Sequence, residues 1–300
     1  MKYQPAKWKN DLTPGIWELI SPQKGQTLIL IGQIHGNELT GFKVIQRLLK
    51  MKKKLAQSMR GGRLILIHGN PAAAKANLRF TKGGIDLNRA WLTPREIKKQ
   101  CTARDSYEWK RLEEIKPYLR ADKNTISLDI HSSSSRTKPF LLLPVINKQY
   151  CWWIRRLGVP IASFGWNNQF TRGQSTLEWV YMQGGVGMGV ECGQHTDPQT
   201  VKNAWRVASN FLATAFTCFP MPTLSRPTIF KIKKTIPYIE QFKWKKKNIV
   251  GPVHLKKGER FGMSPKGGVY SQDEGYLFLP NAHPEPANPD IGYLANKNVK

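Results

Sequence analysis

Four short polar runs in this 300-residue chain have the residue types for hydrolytic chemistry, and each follows an apolar stretch. The first is His35-Gly36-Asn37-Glu38. An imidazole and a carboxylate at this spacing can turn toward one point, and together they form half of a normal set of catalytic zinc ligands. Gly36 lets the chain bend tightly between them. Alone, the HxxE spacing is a weak signal. The second run is Asp129-Ile130-His131. His131 is a third candidate ligand, or a histidine that merely caps a strand. Side chains alternate along a strand, so Asp129 shares the side of His131 and can support it from behind. The serines Ser132 to Ser135 suit a pocket wall. The third run holds Arg79 and then Asp86-Leu87-Asn88-Arg89. A guanidinium fork matches a carboxylate, and Asn88 can add a neutral hydrogen bond. The same four residues could equally form a helix N-cap with an exposed arginine. The last is Glu191, in Val190-Glu191-Cys192-Gly193-Gln194. Near a metal, a carboxylate there can take a proton from an activated water. Without the other three runs it is an ordinary strand-end acid.

These runs need a scaffold, and the apolar pattern supplies one. Thr27–Ile34, Gly62–His68, Thr125–Ile130, Pro139–Val145 and Gly187–Glu191 read as short buried strands. Between or after them, Glu38–Met51, Arg104–Arg120, Lys148–Leu157 and Val201–Cys218 carry helical spacing. Alternating strands and helices predict an α/β fold with a mostly parallel mixed sheet flanked by helices. Ligands in such folds bind beyond the carboxyl ends of the strands, where the four runs lie. After Phe219 the pattern changes. Pro220, Pro222 and Pro227 punctuate a linker, and Thr228–Pro237, Val253–Met263 and Gly275–Pro280 read as short strands without helices. Two domains are expected, a catalytic one over residues 1–219 and a small all-β one over 223–300.

Composition narrows the class. Forty per cent apolar residues are enough for a core, and no run approaches the ~20 residues of a membrane span. The amino terminus does not read as a secretory signal, so the expected location is the cytoplasm. Cys101, Cys151, Cys192 and Cys218 form no CxxC pair, which argues against a thiolate metal site. The net charge of +27 is the unusual property. It favours anionic partners, whether small substrates or polyanions. The basic residues are densest over Lys43–Arg63, which has no acid, and Lys231–Arg260. Solvated lysine faces are the ordinary reading of such runs. Incidental nucleic-acid binding is compatible with them, a specific nucleic-acid partner is not expected, and no membrane partner is expected.

Taken in order, His35 to Glu38, Asn70-Pro71-Ala72-Ala73, Arg79, Asp86 to Arg89, Asp129 to His131 and Glu191 to Gly193 resemble the succinylglutamate desuccinylase/aspartoacylase family, which is related to the zinc carboxypeptidases. The resemblance covers roughly residues 25–200, and Gly275–Asn281 (GYLFLPN) is similar to part of that family's C-terminal region. It implies a zinc carboxypeptidase-like fold and one Zn²⁺ per chain, held by His35, Glu38 and His131. Glu191 is implied as general base, with Arg79 helping to polarise the scissile carbonyl. Asn88 and Arg89 are implied as substrate-binding groups. A second substrate-carboxylate contact has no clear counterpart, and Arg172 is the candidate. The implied reaction is hydrolysis of an amide in a small anionic N-acyl amino acid or similar substrate. A metallocarboxypeptidase acting on peptides and a non-enzymatic polyanion-binding protein are the alternatives. The donor set also accommodates Co²⁺ or Mn²⁺.

Overall fold

In the computed structural model, strands β3 (Thr27–Gly32) and β4 (Arg63–His68) show how the sequence builds two layers. Their leucines, Leu28, Leu30, Leu64 and Leu66, pack into one hydrophobic core. Their isoleucines, Ile29, Ile31, Ile65 and Ile67, pack into another on the opposite face. Strict alternation of two apolar residue types thus gives a sheet buried on both sides. The structure describes residues 4–9, 12–91, 105–166, 171, 174–282, 284 and 290–298.

In chain order, β1 (Lys7–Trp8) and β2 (Ile16–Ile20) precede β3; α1 (Leu39–Leu49) and α2 (Lys52–Ser58) lead to β4; and α3 (Pro71–Ala76) and α4 (Tyr107–Ile115) follow it. Then come β5 (Thr125–Ser133), β6 (Phe140–Leu143), α5 (Lys148–Leu157), β7 (Ile161–Phe164), α6 (Thr176–Met182), β8 (Val186–Gln194) and α7 (Pro198–Leu212). The remainder is strands: β9 (Thr228–Ile236), β10 (Lys243–Trp244), β11 (Val253–Leu255), β12 (Arg260–Ser264), β13 (Gly267–Tyr270), β14 (Gly275–Phe278) and β15 (Gly292–Lys297). The main sheet runs β1-β2-β4-β3-β5-β8-β6-β7-β9-β15-β14-β11. Its centre, β4-β3-β5-β8, is parallel. Helices α1, α2, α5 and α7 cover one face, and α4 and α6 lie on the other.

The mixed, mostly parallel sheet expected from the pattern is present, with some boundaries moved. Asp197 caps α7 by accepting from the Gln199 N–H, and Pro198 opens it, so the helix starts before Val201 and stops at Leu212. Helix α4 ends at Ile115 and tightens into a 3₁₀ turn at Lys116–Leu119, where Pro117 has no N–H to donate. Its expected start at Arg104 lies outside the described residues. No helix follows Leu212 among the described residues. The late strands do not form a separate sheet alone. β9 pairs in parallel with β7, so hydrogen bonding runs unbroken from the first part of the chain into β15, β14 and β11. β10, β12 and β13 form a second, three-stranded sheet. Among the described residues, no helix is long and apolar enough to cross a membrane. Cys151, Cys192 and Cys218 are free thiols.

Candidate active site

The site forms where β3, β5 and β8 end. After Gly32 the chain turns sharply at Gln33, which adopts φ 60° although it is not glycine. Its side chain is held at both ends: Nε2 donates to the Gly36 carbonyl at 2.6 Å, and Oε1 lies 2.9 Å from Nε2 of His68. The turn delivers His35 and then Glu38, the N-cap residue of α1. Two close approaches fix it in place. A Cβ on Gly36 would meet the Ala73 carbonyl carbon at 2.2 Å, so the turn rests directly on α3. A Cβ on Gly41 would meet Gly32 and the Ile130 carbonyl below 3.0 Å, so α1 crosses β3 and β5 backbone to backbone. His131 arrives on β5, and its Cα partner across the ladder is Glu191 on β8.

The donor atoms of His35, Glu38 and His131 lie within 4.8 Å of one another, all buried. Nδ1 of His35 is 2.7 Å from Glu38 Oε1, and Nδ1 of His131 is 2.9 Å from Glu38 Oε2. Each Nε2 faces a different carboxylate: Asp86 Oδ1 at 3.1 Å for His35 and Asp129 Oδ2 at 3.1 Å for His131. A neutral imidazole carries one N–H. With carboxylates at both nitrogens, one lone pair on each ring would press against an oxygen unless a proton or a metal cation lies between. The three inward atoms fit a metal ion, with the Nε2 protons given to Asp86 and Asp129 behind. Electrostatics agree. Against the opposing effect of burial, Asp129 and Glu38 hold His131 well above the usual histidine range. Against the same opposition, His35 and His131 hold Glu38 well below the usual carboxylate range. Glu191 behaves oppositely: burial first, and the Glu38 charge second, push its carboxyl up to about 7. Its Oε2 is buried without a hydrogen-bond partner among the described residues.

The arginine runs gather on the same side. Arg79 Nε and Nη2 donate to Asp86 Oδ2 at 3.0 and 2.8 Å, and Nη1 lies 3.7 Å from Glu38 Oε1. Asp86 also accepts the Asn88 N–H, capping a 3₁₀ turn over Leu87–Arg89 in which Arg89 is half-buried rather than exposed. Asn88 Oδ1 accepts from the Thr176 N–H, which leaves its NH₂ to donate. Arg89 Nη1 donates to the Asn88 carbonyl at 2.8 Å. Arg172 lies outside the described residues.

Several supporting residues escape sequence reasoning. Buried Glu108 on α4 accepts from Asn70 Nδ2 and from the Thr81 N–H and hydroxyl, anchoring the loop that carries Arg79. Thr176 Oγ1 donates to Asp129 at 2.6 Å. His195, just past β8, has Nδ1 2.9 Å from the Ser132 hydroxyl, beside His131. Asp86 stood in a visible motif, but its pairing with His35 spans 51 residues and had no local signal.

A parallel sheet with a buried three-donor group at its carboxyl edge defines a mixed α/β protein equipped to hold a metal ion. The chain belongs to the succinylglutamate desuccinylase/aspartoacylase family: residues 24–214 match the model of the succinylglutamate desuccinylase/aspartoacylase catalytic domain. No curated protein matches it by sequence. The fold is similar to that of succinylglutamate desuccinylase from Vibrio cholerae (16% identity, 98% of this chain and 92% of that one, TM-score 0.70). It is also similar to a succinylglutamate desuccinylase/aspartoacylase from Rhodobacter sphaeroides (16% identity, 95% and 90%, TM-score 0.73) and to murine aminoacylase 3 (19% identity, 92% and 96%, TM-score 0.64).

Proposed function

We propose that this protein is a zinc-dependent hydrolase of the amide bond in a small N-acyl amino acid or a similar carboxylate-bearing substrate. The observation that carries the reading is the convergence of both Nδ1 atoms on Glu38, with a carboxylate behind each ring and Glu191 beside them, its Oε2 without a partner among the described residues. His35, Glu38 and His131 would hold the metal, which when bound supplies a Lewis acid for the amide carbonyl and for water. Glu191 takes the proton of the attacking water at its free oxygen and returns it to the leaving nitrogen. Arg79, steadied by Asp86, offers its remaining N–H groups to the oxyanion that develops on the carbonyl. Asn88 and Arg89 bind the substrate carboxylate and orient the amide. Burial of the site excludes bulk water and strengthens each of these contacts.

The test measures metal content and turnover of a panel of N-acyl amino acids, for the wild type and Glu191→Gln. One zinc per chain in both proteins, with turnover lost in the variant, is the expected result. Turnover of unstructured peptides in preference to acyl amino acids would replace the reading with a carboxypeptidase. Failure to bind zinc after reconstitution would overturn it.

A further inference from the structure

The strong basicity plays no part in the chemistry above, and the fold sorts it unevenly. Helices α1, α2, α5 and α7 form one continuous layer, α1 touching α2 and α7, and α7 touching α5. Together they carry ten lysines and arginines and no aspartate or glutamate. On α1 and α2 these are Lys43, Arg47, Lys52, Lys53 and Lys54, all exposed. Exposed Arg155, Lys202 and Arg206 continue the patch across α5 and α7, and Lys50 caps α1. None of these cations forms an ion pair with a described residue. Of the two acids that adjoin these helices, Glu38 is turned into the active site and Asp197 is occupied in capping α7. The opposite layer differs. There α4 carries three glutamates, and Arg111 pairs with Glu114 while Lys116 pairs with Glu113. In the second basic run, Lys234 pairs with Asp273. An acid-free face on an otherwise mixed surface is a local concentration of positive potential.

We infer that this helical layer docks the phosphate backbone of double-stranded nucleic acid, without regard to base sequence. Helices α1, α7 and α5 side by side at 8–10 Å span about 18 Å between outer axes, about half of a duplex turn of roughly 34 Å, and α2 extends the layer from the end of α1. Two guanidiniums are pre-set by stacking, Arg47 at 3.7 Å from the Trp205 ring centre and Arg156 at 3.6 Å from that of Trp152. A guanidinium held flat loses little freedom on binding a phosphate. The tryptophans also bear on the choice between polyanions. Single strands are held by bases stacking on rows of open aromatic faces; here Trp205 is half-buried, and Trp152, though exposed, has one face under Arg156. Membrane docking is strongest where apolar side chains insert beside the cations. Among the described residues of these helices, Leu39 and Trp152 are the only large apolar side chains that are exposed, and Leu39 sits at the active-site end. What remains is a rigid field of cations suited to a duplex backbone. This inference does not depend on the hydrolase reading.

The experiment measures binding of the full-length protein to a fluorescent mixed-sequence DNA duplex across a salt series. Two variants with equal charge change are compared: Lys52→Glu/Lys53→Glu/Lys54→Glu on the layer, and Lys245→Glu/Lys246→Glu/Lys247→Glu on the exposed loop after β10. The layer variant is expected to lose at least about tenfold in affinity, with a salt slope shallower by about 0.9 for each lysine in contact. The loop variant should stay within about threefold of the wild type. Lys202→Glu/Arg206→Glu on α7 serves the same comparison if the first variant fails to fold. Equal losses in the layer and loop variants would mean that net charge alone acts and would overturn the proposal. So would absence of duplex binding, or binding confined to anionic phospholipid vesicles.

Discussion

Glu191 and Glu38 share one buried space and hold their protons in opposite ways. Glu38 faces two imidazoles and stays ionised. Among the described residues Glu191 Oε2 faces no hydrogen-bond donor, and burial raises the carboxyl from an ordinary 4.5 to about 7. A raised carboxyl contributes stability in full below its unfolded value, and that contribution is lost as pH rises through the folded value. Metal-free Glu191→Gln is therefore expected to be more stable than the wild type at pH 8, by at most about 3 kcal/mol. The gap should close below about pH 4.5, and thermal melts at the two pH values check it. In turnover the same carboxyl must be ionised, so kcat/KM should fall on the acid side of a limb at or below about pH 7. The carboxylates behind the histidines act differently. Asp86 and Asp129 each accept from an Nε2 and so fix which nitrogen faces inward. Asp86→Asn and Asp129→Asn should each weaken zinc affinity about 10–100-fold while leaving the fold intact, as read by competition with a chromophoric chelator.

At the scale of elements, the site depends on how closely helices approach strands. Helix α1 must come near enough for Glu38 to lie between His35 and His131, and only backbone-to-backbone contact at Gly41 allows it. Gly41→Ala would force α1 away from Gly32 and Ile130. We expect a loss of roughly 1–3 kcal/mol in stability together with weaker zinc binding, measured by denaturant melts and metal titration. On the other face, a Cβ on Gly187 would meet the Leu177 carbonyl oxygen at 1.9 Å. That closeness lets Thr176, at the start of α6, hold Asp129 with its hydroxyl and Asn88 with its N–H. One short helix thus joins the metal-side and substrate-side groups.

For the whole molecule, the late strands are part of the main hydrogen-bonded sheet. Phe140 and Trp166 pack with Phe230, Phe278 and Tyr293 in one cluster across β7 and β9. A chain cut after Phe219 would expose that cluster and leave β7 as an open edge, a ready template for aggregation. We expect residues 1–219 to be insoluble when expressed alone, whereas a folded monomeric fragment with normal zinc affinity would mean that the two parts are independent. Charge also belongs to this scale. Ten of the lysines and arginines spread along the chain are collected by the fold onto one acid-free helical layer.

Much of this was legible in the residues themselves. Alternating leucine and isoleucine in β3 and β4 specifies strands buried on both faces, because a pleated strand sends successive side chains to opposite sides. The polar runs after those strands mark the sheet edge where His35, Glu38, His131 and Glu191 meet. Period-two alternation likewise puts Asp129 on the side of His131. Local pattern carries no information on pairings that the chain closes at a distance. Asp86 behind His35, Glu108 under the Arg79 loop and Thr176 between Asp129 and Asn88 are such pairings. The run from β7 into β9 is another, since strand order depends on packing and not on sequence position. The acid-free layer was split in the sequence among four helices separated by strands, and it became one surface only when the sheet brought them side by side.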